Sequence, residues 1–123
     1  MKYLCFIRHA ESHRQNPPPA GLMKAMGEFV QRSLKNGSLV DTGGLLPSKD
    51  GVLISLRKGE ITVKDGPFTE SKEVIGGWAI IKADTKEEAV RIGREFMELH
   101  QKYWPEFDGE SEVRPMFDTG MGP

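Results

Sequence analysis

Apolar residues recur along the chain with two different periods, and the change of period marks out its elements. Tyr3, Cys5 and Ile7 alternate within a short apolar run, which predicts a first strand over Tyr3 to Arg8. The segment "NPPPAG" then breaks the chain. After it Leu22, Met26, Phe29, Val30 and Leu34 recur at helical spacing, and Asn36-Gly37 supplies a C-terminal stop. From Ser38 onward the pattern is strand-like again. Val52 to Arg57 and Glu60 to Lys64 flank Lys58-Gly59, which reads as a hairpin. Thr42 to Gly44, "TGG", lies between strand-like segments and reads as a bend or bulge. Gly77 to Ala83 is a further strand, and Ser111 to Phe117 a last one, with Pro115 favouring an edge or bulged position.

Between those two strands lies the strongest helical pattern, in which Ala89, Ile92, Phe96, Leu99 and Tyr103 are spaced by three and four. Thr85 with Glu88 fits a capping box, Glu87 to Arg91 and Glu98 to Lys102 are well-ordered i,i+4 pairs, and Pro105 ends the helix. The order is β, α, β, β-hairpin, β, α, β. That is an α+β, ferredoxin-like βαββαβ unit with an inserted hairpin strand: an antiparallel sheet with two helices on one face. Phe6, Ile54, Leu56, Trp78, Ile80 and Met116 give its other face too many apolar residues to stay wet, so a homodimer packed sheet to sheet is expected.

Composition narrows the class. At 123 residues the chain is one domain, taken as residues 1–117 with a loose tail at 118–123. A net charge of -1 gives no reason to expect a nucleic-acid partner. The one cysteine cannot form an internal disulfide, and no apolar run approaches the roughly 20 residues that span a bilayer. The first ten residues make a poor signal peptide, so a cytoplasmic location is expected and no membrane partner.

Two stretches carry candidate chemistry. The first, "RHAES" at Arg8 to Ser12, resembles the "RHGES" signature of histidine phosphatases, in which an arginine grips phosphate and a histidine attacks phosphorus. Ala10 replaces the glycine, Asn16 falls one place late, and no later segment supplies the rest of a phosphate pocket. His9 therefore reads first as a polar residue leaving a strand. The second stretch is "DGPFTESKEVIGGW", Asp65 to Trp78. Gly66 and Pro67 make it rigid, Phe68 can plug the core beneath it, and Gly76-Gly77 allows close approach of another backbone or a ligand.

With Asp65-Gly66-Pro67-Phe68, Glu70, Lys72-Glu73, Gly76-Gly77-Trp78, the "EEA" of Glu87 to Ala89 and the "EVRP" of Glu112 to Pro115, the chain resembles the YCII-related, DGPF-domain family. The resemblance implies a ferredoxin-like dimer of the dimeric α/β barrel type. It implies little chemistry; an association of some members with extracytoplasmic-function sigma factors points to regulation.

The expected function is therefore that of a small-molecule-binding dimer, regulatory in role, taking a small polar or anionic ligand. Arg8, Arg57, Phe68, Glu73 and Trp78 are the candidate binding residues. The alternative is a cofactor-free isomerase, dehydratase or lyase in which Asp65, Glu70 and His9 carry acid and base roles. Asp65 reads equally as a turn acceptor, and Glu70 and Glu73 as solvated loop charges. No cofactor motif and no metal-ligand spacing is present in the sequence.

Overall fold

The computed structural model describes residues 1–10, 18–67 and 74–117. Its elements are β1 (Lys2–His9), α1 (Ala20–Lys35), β2 (Leu39–Gly44), β3 (Val52–Arg57), β4 (Glu60–Asp65), β5 (Val74–Lys82), α2 (Lys86–Tyr103) and β6 (Gly109–Pro115). A 3-10 turn, Ser48–Asp50, precedes β3. The expected order of elements is present, and the tail at 118–123 falls outside the described residues.

Four strands form an antiparallel sheet in the order β2-β5-β1-β6. β5 lies between β1 and β2, so β1-α1-β2 is a split βαβ unit, consistent with a ferredoxin-like sheet. Two strands carry an extra residue. The register shifts between Leu39 and Asp41, which makes Val40 the bulged residue of β2, so Thr42 to Gly44 is paired strand rather than the bend expected there. On β5, Ile7 faces Gly77 but Arg8 faces Ile75, leaving Gly76 as the extra residue.

The hairpin departs from expectation in placement. Among the described residues β3 and β4 pair only with each other, as a separate two-stranded sheet. Lys58 and Gly59 both have positive φ, 51° and 82°, the type I′ combination whose twist suits two-residue hairpins. Ile54 and Leu56 therefore do not share a sheet face with Phe6, Trp78 and Ile80. They join Ile61 and Val63 on one face of the hairpin, with exposures of 68%, 69%, 69% and 67%. Gly66 anchors the hairpin base: its N–H donates to the Gly51 carbonyl at 2.9 Å, and a Cβ there would stand 1.7 Å from the Ser48 carbonyl oxygen.

Both helices cover one side of the four-stranded sheet, over a core of Tyr3, Cys5, Phe29, Leu39, Ile81, Ala83, Ala89 and Ile92. In α1 the buried positions are Leu22, Phe29 and Ser33, while Leu34 is exposed. At 3.6 residues per turn, Ser33 returns to within about 20° of Leu22, whereas Leu34 lies about 120° away. α2 begins as expected, with the Thr85 hydroxyl accepting from the Glu88 N–H at 3.2 Å; the Glu88 carboxylate reaches back to the Asp84 N–H at 3.3 Å. Phe29 and Phe96 join the helices at 5.6 Å between ring centres, and Arg32 pairs with Glu95 across the same contact.

The opposite side of the sheet carries Leu4, Phe6 and Arg8 of β1 with Trp78 and Ile80 of β5, all half-buried. β6 adds charge to it: Arg8 pairs with Glu112 at 2.9 Å and Glu110 at 3.7 Å, and Arg114 with Glu112 at 3.0 Å.

Candidate functional site

The helix-facing side of the sheet is floored with small side chains. β5 offers Gly77 and Ala79 there and β6 offers Ser111, so the helices above do not fill the space. A cavity of about 610 Å³ results, within the range of small-molecule sites. Its walls include Cys5, Ile7 and His9 from β1, Met26, Phe29 and Ser33 from α1, and Ile92, Phe96 and His100 from α2. Among the described residues no Asp, Glu, Lys or Arg lines it.

Two histidines, His9 and His100, come together at one end of this cavity. Beyond α2 the chain turns back tightly, with the Phe107 N–H donating to the Trp104 carbonyl at 2.9 Å and the Trp104 N–H to the His100 carbonyl at 2.8 Å. This turn lays Phe107 between two imidazoles, 6.0 Å from His9 and 4.9 Å from His100 by ring centres. Phe96 packs edge-on against His100 at 5.1 Å, and Trp104 lies 5.2 Å from Phe107. Glycine at position 109, paired with His9, is required here. A Cβ on it would stand 2.7 Å from both the Arg8 carbonyl oxygen and the Phe107 ring.

Both histidines are oriented by main-chain carbonyls. His9 Nδ1 lies 2.8 Å from the Ala10 oxygen and His100 Nδ1 lies 3.1 Å from the Phe96 oxygen. A carbonyl only accepts, so Nδ1 must carry the proton in each ring. In the neutral imidazole Nε2 is then the basic nitrogen. Burial lowers the His100 pKa from its ordinary 6.5; the Phe96 carbonyl opposes this, and the neighbouring His9 adds to it. Burial likewise pushes the Cys5 thiol up to about 11, so this cysteine is a neutral wall of the cavity.

Of the residues singled out from sequence, His9 is buried in this cavity and Trp78 borders it, its ring against Gly43. Arg8 lies on the other side of the sheet, held by its glutamates and over the Phe6 ring at 5.7 Å. Arg57 and Asp65 end β3 and β4, exposed and outside the cavity lining. Phe68, Glu70 and Glu73 lie outside the described residues. The segment that contains them rejoins the sheet at Val74, which pairs with His9. Among the described residues no group of three or more His, Cys, Asp or Glu is placed to hold a metal ion.

His100 was not singled out from sequence, although a signal was present. It lies four residues after Phe96 and eleven after Ala89, on the buried stripe of α2. A polar residue on an apolar stripe near a helix end was the clue.

Residues 1–98 match the model of the YCII-related domain. The chain belongs to the YCII-related family. The matched region of this YCII-related protein runs from β1 into α2 and stops short of His100, Trp104 and Phe107. The chain is also similar to an uncharacterized protein of Rhizobium meliloti, 26% identical over 95 residues, covering 77% of this chain and 73% of that protein. No helix among the described residues of the YCII-related protein is long and apolar enough to cross a membrane.

Proposed function

We propose that this YCII-related protein binds a small, mostly apolar molecule in the cavity between sheet and helices, and works as a homodimer. The carrying observation is the cavity itself: about 610 Å³, apolar over most of its lining, with His9 and His100 gathered at one end. An anionic ligand finds no cationic lysine or arginine among the described lining residues, so the chemistry favours a neutral one. Ala79 lies on the cavity floor, and Ala79→Phe would fill the space while keeping a strand-compatible side chain. Compounds from a small-molecule library should raise the melting temperature of the wild type but not of this variant. Equal stabilisation of both proteins would sink the assignment of the site.

The dimer is supported by two uncovered apolar surfaces, the outer side of the sheet around Phe6 and Ile80 and the exposed face of the hairpin. A second reading, an enzyme without a cofactor, is favoured by one observation. With Asp65 exposed and outside the lining, acid and base roles pass to two imidazoles beside an apolar space. Turnover in a substrate screen, lost in a His9→Gln or His100→Gln variant that still binds the compound, would establish it; saturable binding without turnover would leave the binding reading alone.

A further inference from the structure

The geometry points to a ligand of the phenol class, a neutral hydroxylated aromatic compound whose hydroxyl donates to Nε2 of His100 while its ring packs among Phe96, Trp104 and Phe107. The inference rests on the cavity being the binding site and adds what the cavity selects. Three observations combine.

First, the Phe96 carbonyl takes the Nδ1 proton of His100, so the neutral ring presents an acceptor and not a donor. A ligand that meets this nitrogen must therefore bring a hydrogen. Second, the surroundings hold the ring neutral. The titratable side chains of the lining are Cys5 and His9 on β1 and His100 on α2; the described parts of α1, β2, β5 and β6 contribute none. Cys5 is a thiol through the neutral range, and His9 lowers rather than raises the tendency of His100 to charge. Among the described lining residues no lysine or arginine would pair with a carboxylate, whereas a phenol arrives uncharged with one donor. Third, aromatic rings surround the acceptor. Phe96 and Phe107 lie 5.1 and 4.9 Å from the His100 ring, and Trp104 lies behind Phe107, an arrangement that accepts a further flat ring by edge or offset packing.

A matched pair of probes tests this: beta-naphthol and its methyl ether, nearly equal in shape, of which only the first has a proton to give. By calorimetry at neutral pH the wild type should bind the naphthol about tenfold more tightly, the size of one buried hydrogen bond. His100→Phe should bind the two alike, near the affinity of the ether. His100→Gln, which keeps an acceptor oxygen, should restore part of the difference. The preference should also shrink at pH well under 6.5, where the folded protein's His100 takes up its proton, with the ether unaffected. Equal binding of both probes by the wild type, or a preference that survives in His100→Phe, overturns the phenol assignment and leaves the cavity assignment standing. Failure of both probes to bind overturns both. Should His100→Phe not fold, the nitrogen resonance of His100 Nε2 in the wild type decides: the naphthol must shift it and the ether must not.

Discussion

Arg8 and His9 are consecutive in the chain and stand on opposite sides of a sheet, one among glutamates and the other in an apolar cavity. Strand alternation alone separates them, and it also removes any pocket built from both. Alternation was legible in Tyr3, Cys5 and Ile7, and it already implied that His9 would follow them inward. The role of Asp65 was not legible, because burial of a turn residue depends on what packs against the turn. Two predictions belong to single residues. Cys5 should resist iodoacetamide at pH 8 in the folded protein and react promptly in denaturant, since its thiol ionises only near 11. Rapid alkylation of the native protein would contradict this. Stability should also carry two pH slopes. The folded state disfavours charge on His100, so the unfolded chain binds protons more readily, and stability should decline as pH falls below 6.5. The folded state disfavours the Cys5 thiolate, so stability should decline as pH rises above 9.0, by about 2 kcal/mol on reaching 11. Urea titrations across that range, compared with Cys5→Ala for the alkaline limb, measure both.

Elements were the most readable level, because caps and turns are local. Thr85, Glu88, Asn36, Gly37 and the Lys58-Gly59 turn all do what their chemistry suggests. The exception, Leu34 giving its place to Ser33, arises because the apolar residue lies about a third of a turn away from the stripe that eleven-residue spacing defines. Thr85→Ala should cost about 1 kcal/mol in urea unfolding, the usual worth of an N-cap. The hairpin predicts a different kind of loss. Gly66→Ala forces a methyl into the Ser48 carbonyl, yet among the described residues β3 and β4 pair with no other strand. Amide exchange should accelerate throughout β3 and β4 while β1 and β5 remain protected. Uniform acceleration would show that the hairpin and the main sheet unfold together.

At the scale of the molecule, element order implied the four-stranded sheet but not the separate place of the hairpin, because a split βαβ arrangement leaves few ways to place four strands and two helices. The cavity was not readable in the same way. It depends on Gly77, Ala79 and Ser111 from separate strands falling side by side, which only register determines. The proposed dimer makes its own prediction: sedimentation equilibrium should give a dimer for the wild type and a monomer for Phe6→Lys, if the outer side of the sheet is the contact. If Ile54→Lys with Leu56→Lys gives monomers and Phe6→Lys does not, the hairpin face is the contact instead. Gly76, the extra residue of β5, also constrains how the gene can change in length. As the residue that β5 carries beyond its register with β1, it can be lost with Ile7 still opposite Gly77 and Arg8 still opposite Ile75, whereas losing any one residue from 77–82 shifts the parity of the strand. Deletion scanning should therefore find single-codon losses harmful within 77–82 and milder at Gly76 and in the connection at 45–47, where no strand parity has to be kept.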